Sequence, residues 1–236
     1  VSARANRTAA VVAFPPGGGG AGMFAALRKA LPDGVGLTVP DLPGRGRRTR
    51  APEALTVAGL AAEIVTELEP TIAERPYAVF ATCFGTIVGL EVVWQALERG
   101  LPAPRVLVVS GRRPPDTAPG FEPLDRRSDA EILDRMGRAW PPGMRDMAPQ
   151  LQALMLRQIR RDNALGLGYA HRPRGPLPVP VVALHGADDP ELEAAHMDDW
   201  RAHTTSAFRF RLVPGGHYFY LSRPGEPAEE LTAPLG

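Results

Sequence analysis

Short apolar runs along this chain alternate with longer stretches in which apolar positions recur every three or four residues. Thr8 to Phe14 is a run of the first kind, and it ends in Pro15-Pro16-Gly17-Gly18-Gly19-Gly20. A helix is predicted from about Met23 to Ala30 and a second strand from Gly36 to Val39. A helix from Val57 to Glu74 follows, with Leu60, Ala61, Ile64, Val65 and Leu68 at helical spacing. The stretch from Tyr77 to Thr86 reads as a short strand, an abrupt turn and the start of a helix that runs through Ile87, Val88, Leu90, Val92, Val93, Trp94 and Leu97 and stops near Gly100, and Arg105 to Ser110 reads as a strand. From Ser128 the pattern changes to helices without strands. Ser128-Asp129-Ala130-Glu131 has capping-box spacing and opens a helix through Arg138, and a longer helix spans roughly Met147 to Leu165. Strands resume at Val179 to His185 and Ala207 to Val213. Such alternation predicts an α/β fold with a mainly parallel sheet flanked by helices on both faces. The helical block, about 112–176, reads as a lid inserted at the carboxyl edge of the sheet, where ligands of such folds bind. Residues 1–236 are read as one domain.

The junction after the third strand carries the chemistry. Ala81-Thr82-Cys83-Phe84-Gly85 places the only cysteine between small residues two before and two after it. That is the nucleophile-elbow pattern, with Cys where Ser is usual. The turn brings strand and helix backbones so close that larger flanking residues would clash. A thiol nucleophile needs a base, and the base needs an orienting carboxylate. In the α/β-hydrolase order of nucleophile, acid and histidine, Gly215-Gly216-His217 places His217 on a loop after the last strand. Asp188 and Asp189 lie just past the strand before it; Asp189 is favoured, with Asp188 as the alternate. His185 competes as base but reads as packed, and His171, His196 and His203 read as surface residues. The oxyanion that forms on an attacked carbonyl needs N–H donors, for which the backbone of Phe84 and of Gly17 are the candidates.

Composition narrows the classes. Net charge is +1, with 44% hydrophobic and 22% charged residues, so nothing argues for nucleic acid or an anionic membrane surface. One cysteine excludes an internal disulfide framework, and no histidine pair has helical metal-ligand spacing. No apolar run approaches the ~20 residues of a membrane helix, and the first residues lack a signal-peptide layout, so a cytoplasmic location is expected. No cofactor or metal is called for, and a monomer is expected.

A second motif points elsewhere. Gly17-Gly18-Gly19-Gly20-Ala21-Gly22 satisfies G-x-G-x-x-G, and Asp41 follows at the distance of a ribose-binding acid. This is the formal fingerprint of an NAD(P)-dependent oxidoreductase. Pro15 and Pro16 interrupt the tight strand-turn-helix it needs, and with Lys29 the only lysine no Tyr-x-x-x-Lys relay follows.

Together the motifs resemble the type II thioesterases of polyketide and nonribosomal peptide assembly lines, over nearly the whole chain. The likeness is carried by Phe14-Pro15-Pro16-Gly17-Gly18-Gly19, Leu42-Pro43-Gly44-Arg45, Val109-Ser110-Gly111-Arg112-Arg113-Pro114-Pro115, Ser128-Asp129-Ala130-Glu131, Arg160-Arg161-Asp162-Asn163 and Pro214-Gly215-Gly216-His217-Tyr218-Phe219. The resemblance implies a lidded α/β-hydrolase that removes acyl groups from the phosphopantetheine thiol of an acyl or peptidyl carrier protein. It also implies Asp189 as the residue that orients the histidine. This chain departs from the family at the site itself, with Ala81, Thr82, Cys83 and Phe84 in the elbow and Pro16 where the family has His. A Cys acyl-enzyme is itself a thioester, which favours amines and thiols over water more than an oxygen ester does. Acyl transfer or cyclisation is therefore the alternative to hydrolysis, and a non-catalytic acyl-binding protein is a further one. Arg45, Arg47, Arg48 and Arg50 read as a solvated cluster that could meet an acidic carrier protein or the pantetheine phosphate. Leu151, Leu154, Met155, Ile159, Trp140 and Met144 read mostly as lid core, some of them lining an acyl pocket.

Overall fold

The computed structural model describes residues 8–51, 54, 56–117, 121–140 and 146–236. Six strands form one sheet: β1 (Ala9–Phe14), β2 (Val35–Thr38), β3 (Tyr77–Thr82), β4 (Leu107–Ser110), β5 (Val181–Gly186) and β6 (Phe208–Val213). Their spatial order is β2-β1-β3-β4-β5-β6, and every pairing is parallel. The α-helices are α1 (Ala25–Ala30), α2 (Val57–Ile72), α3 (Phe84–Glu98), α4 (Asp129–Gly137), α5 (Pro149–Leu167) and α6 (Gly225–Thr232).

The inner strands β1, β3, β4 and β5 are buried on both faces, which is why they read as continuous apolar runs. On β1, Ala10, Val12 and Phe14 join the core with α2 and α3, whereas Val11 and Ala13 join the opposite core. On β3 the same alternation sends Val79 and Ala81 one way and Phe80 the other. The outer strand β6 is half-exposed, and its Arg211 pairs with Glu226 of α6 at 2.8 Å, a charged edge that resists further strand pairing. The elements not anticipated from the pattern include the 3-10 segment Ala194–His203 and the C-terminal α6. Their apolar positions are too few for the period to declare itself, and Gly225 and Pro227 mask α6.

The chain runs from β1 outward to β2, then crosses back to β3 on the other side of β1. The loops after β1 and β3 therefore diverge at a topological switch point, where the sheet edge opens into a crevice. Phe14 is paired with Ala81, so Pro15–Gly20 and Cys83 leave the sheet side by side. The segment between β4 and β5 carries α4 and α5. The Ser128 capping box forms as its spacing predicts, with Glu131 N–H donating to Ser128 Oγ and Ser128 N–H to Glu131. Of the residues read as lid core, Trp140 and Ile159 are buried, while Leu151 and Leu154 of α5 face outward. Met144 lies outside the described residues.

Candidate active site

Cys83 sits between β3 and α3 with φ 53° and ψ −120°, and it is the non-glycine residue with positive φ among those described. An L residue holds such an angle only when its surroundings over-determine it. Three contacts do so. Cys83 N–H donates to the Ser110 carbonyl at 2.9 Å, and both the N–H and the hydroxyl of Thr86 donate to the Cys83 carbonyl. Gly85 faces the end of β1, where an added Cβ would lie 2.6 Å from the Phe14 carbonyl carbon and 2.7 Å from the Pro15 oxygen. One turn on, Gly89 packs against Ala81 and the Phe14 ring with no room for a side chain. The small residues around Cys83 are thus required by backbone contact.

His217 and Asp189 arrive from the other end of the sheet. Gly186, the last residue of β5, abuts the backbone of Gly215 and Gly216, and a Cβ there would lie 2.8 Å from the Gly216 carbonyl carbon. This close approach of two glycine backbones lets the loop after β6 fold over β5. His217 Nδ1 then lies 2.8 Å from Asp189 Oδ2, with Asp189's carboxylate almost fully buried. Asp189 Oδ1 accepts the Glu191 N–H at 2.8 Å, which fixes the carboxylate. Asp188 is exposed, so of the two candidates only Asp189 reaches the imidazole. His185 is buried, but its Nδ1 is 4.0 Å from the same carboxylate, and burial pulls it below the ordinary imidazole value. The remaining histidines are less exposed than their contexts imply. His203 binds Asp116 at 2.9 Å and packs on Trp200, His171 meets the Tyr169 hydroxyl, and His196 lines the central cavity.

Burial by itself would raise the Cys83 thiol. The hydrogen bond and charge of His217, the charge of Arg112 and the Phe84 N–H outweigh it and hold the thiol below its ordinary value. His217 also loses solvation, yet its bonds to Asp189 and Cys83 push it up to about 10. Both shifts favour the thiolate–imidazolium form of the pair, the form that attacks electrophilic carbon. The sign of Asp189's influence follows. Its charge raises His217, and the raised imidazolium lowers Cys83. Asp189→Asn is expected to move the pH profile of Cys83 alkylation by iodoacetamide upward by about a unit or more. An unchanged profile would assign the orienting role to another group.

The Phe84 N–H, at the first turn of α3, points at the Cys83 sulfur. Gly17 lines the same cavity, its Cβ position 3.8 Å from Phe84 Cβ. A backbone donor at the start of α3 and one on the loop after β1 can together receive negative charge on a carbonyl oxygen. The loop bearing Gly17 is clamped by α5. Asp162 accepts the Gly18 N–H at 2.7 Å and the Arg45 guanidinium at 2.5 Å, while Arg45 also donates to the Gly19 carbonyl. Gln158 donates to the Gly44 carbonyl at 2.8 Å, and Ile159 fills the space a Gly18 side chain would need. Burial drives the Asp162 carboxyl up, against the pull of Arg45 and the Gly18 N–H. Asp162 and Arg45 were visible in the sequence only as motif members; nothing in their spacing foretold that they meet.

This corrects the reading of the arginine cluster. Arg45 is buried in the clamp, Arg47 pairs with Asp41 and Glu67, and Arg48 pairs with Glu63. Only Arg50 of the four has no ion pair among the described residues, so the cluster is largely neutralised within the chain. The glycine motif is likewise put to another use. Gly18 and Gly19 lie under α5 and Arg45, and Asp41 accepts the Arg47 N–H at 3.0 Å.

The clamp carries a prediction. Asp162→Ala is expected to lower kcat about tenfold through displacement of the Gly17 loop, with KM changing less than about threefold. A change confined to KM, or to thermal stability, would make Asp162 a packing residue.

Gly17, Cys83, Phe84, Asp162, Asp189 and His217 line one cavity of about 780 Å³. Phe84, Phe121, Leu124, Ile132 and Ile159 make its apolar wall, and Cys83, His217 and Asp189 stand on its floor. Gly111 also matters here: with φ 65° it leaves room for the imidazole, whose Cε1 would be 2.8 Å from an added Cβ. Among the described residues, no helix is long and apolar enough to cross a membrane, and no group of His, Cys, Asp and Glu is arranged to hold a metal ion.

A parallel sheet with helices on both faces, an elbow after β3, a carboxylate after β5 and a histidine loop after β6 define the α/β-hydrolase class. Within it, the thioesterase domain family matches residues 9–233, and the chain belongs to that family. The structure is similar to RedJ, the thioesterase from the prodiginine biosynthetic pathway in Streptomyces coelicolor. The TM-score is 0.86 at 29% identity, covering 96% of this chain and 92% of that one. By sequence it is 32% identical to thioesterase PikA5 of Streptomyces venezuelae over 216 residues, 91% of this chain and 76% of PikA5. It is also 32% identical over 230 residues, 95% of this chain, to the AMB antimetabolite synthetase AmbE of Pseudomonas aeruginosa, of whose length it spans 10%.

Proposed function

We propose that the chain is a type II-like thioesterase of polyketide or nonribosomal peptide biosynthesis, working through Cys83, His217 and Asp189. The observation that carries this reading is the strained Cys83 elbow facing a His217–Asp189 pair at 2.8 Å across one apolar cavity. The substrate is an acyl thioester on the phosphopantetheine arm of an acyl or peptidyl carrier protein. Cys83 Sγ adds to the carbonyl carbon while Phe84 and Gly17 N–H groups receive the oxyanion. The carbon–sulfur bond to the carrier breaks, and His217 Nε2 gives its proton to the departing thiolate. The neutral imidazole then takes a proton from water, whose oxygen attacks the Cys83 thioester to free the acid. Asp189 holds the ring in one orientation throughout. The segment carrying α4 and α5 acts as the lid, and its apolar side chains enclose the acyl group.

The Phe84–Phe121 wall, with ring centroids 6.1 Å apart, favours a second reading, acyl transfer or cyclisation from the same acyl-enzyme. An apolar surface beside a thioester gives water no ordered position, while an amine or thiol on a bound acceptor still reaches the carbonyl. An acyl-loaded carrier protein, or its N-acetylcysteamine thioester, incubated with and without an added amine separates the two. Mass analysis is expected to show a transient acyl adduct on Cys83. Free acid as the sole product supports hydrolysis, and amide or a new thioester supports transfer. Absence of any adduct under single-turnover conditions would leave only acyl binding.

A further inference from the structure

The cavity contains one cation without an opposing acid. Arg112 directly follows Gly111 at the end of β4, and its backbone is held by Trp200 Nε1, which donates to the Arg112 carbonyl at 2.9 Å. Its guanidinium lies over the Phe121 ring, 4.1 Å from the centroid. The other arginines that line the cavity have partners: Arg113 has Asp199 and Arg135 has Glu122. Arg112 forms no ion pair with a described residue, and its Nε is buried without a hydrogen-bond partner. Instead its field acts on Cys83, and it lines the same cavity as the nucleophile.

A desolvated cation is costly unless something opposes it. Stacking on Phe121 and the negative charge of Cys83 each offset part of that cost, and a guanidinium face laid on the ring leaves its edge donors free. Those donors form a planar fork matched to a carboxylate. The pantetheine phosphate is the wrong anion, because the whole arm separates it from the thioester sulfur and Arg112 stands beside the attacked carbon.

We propose that Arg112 forms an anion subsite beside the nucleophile, and that the chain takes acyl thioesters whose acyl group carries a carboxylate near the thioester carbonyl, the monothioesters of short dicarboxylic acids. This rests on the reading of Cys83 as the acyl acceptor. In the transfer the Cys83 sulfur–carbonyl bond forms, the carrier's carbon–sulfur bond breaks, and the leaving thiolate takes the His217 proton. The acyl carboxylate keeps its charge throughout, opposite Arg112.

Cys83 is the only cysteine, so its alkylation tests the subsite apart from turnover. Iodoacetate carries the carboxylate that iodoacetamide lacks, and each leaves a distinct mass on the sulfur as iodide departs. With an ordinary thiolate the charged reagent is the slower. In this protein iodoacetate is expected to be the faster, and Arg112→Gln to lower the iodoacetate-to-iodoacetamide rate ratio about tenfold or more. The ratio cancels any common slowing from a changed thiolate, and Arg112→Lys is expected to recover part of it. The kcat/KM ratio of succinyl- to butyryl-N-acetylcysteamine is expected to fall in parallel. Equal loss with both reagents would show that Arg112 serves only the thiolate, and would overturn the subsite. Turnover of the butyryl thioester without any anion preference would sink the subsite and leave the thioesterase reading standing. Anion-selective alkylation with neither thioester consumed would overturn that reading, and the substrate assignment with it.

Discussion

Cys83→Ala is expected to lower acyl-thioester turnover by about three orders of magnitude or more and to abolish the acyl adduct. On the proposed function, the Cys83 sulfur is the attacking group among the described residues of the cavity floor, because His217 is committed to Asp189 on one side and to the sulfur on the other. Removing the sulfur also removes the negative partner of the imidazolium, so no second nucleophile is generated. Folding is not expected to suffer in proportion, since alanine accepts the same backbone angles at similar cost and no side-chain hydrogen bond caps α3. The check is single-turnover release from an acyl-N-acetylcysteamine, with a thermal melt on the same sample. Near-wild-type turnover from a well-folded Cys83→Ala protein would remove Cys83 from the reaction and return the chain to an acyl-binding role.

Gly85→Ala is expected to cost about 3 kcal/mol of stability, an over-packing effect rather than a catalytic one. Its new Cβ would meet the backbone of Phe14 and Pro15, which cannot swing away as a side chain can. Relief requires α3 to move off β1, and that loosens Phe14 and Gly89 at the same time. For a chain of this length the expected fall in Tm is about 6–12 °C. Gly22→Ala is the control, because a Cβ there meets nothing within 4 Å and is expected to change Tm little. Equal melting temperatures for the two variants would mean that strand and helix are not in close contact at the elbow.

Much of the fold was legible in the chain because it is written in short periods. The alternation within β1 and β3, the helical spacing of Leu60, Ile64, Val65 and Leu68, and the Ser128 capping box each depend on neighbours a few residues apart. The β4 strand begins at Leu107 rather than Arg105, and α2 ends at Ile72 rather than Glu74, since ends are set by contacts beyond the period. The elbow was legible for the same reason: small residues two before and two after Cys83 are a local requirement of a strained turn.

What the sequence determined by itself was therefore the parallel α/β order, the Cys83 turn and a short set of candidate partners in the right succession. Tertiary structure alone chose among them. Asp189 was separated from Asp188, and His217 from His185, by the fold of a Gly-Gly loop over Gly186. The Asp162–Gly18 clamp joins residues 144 positions apart, and Arg45 left the solvated cluster to enter it. Arg112, which composition would place on the surface, lies against Phe121 inside the cavity. Local spacing encodes which backbone angles and faces a segment can adopt. Which charges meet, and which one is left without a partner, depends on distant segments being packed together by the sheet.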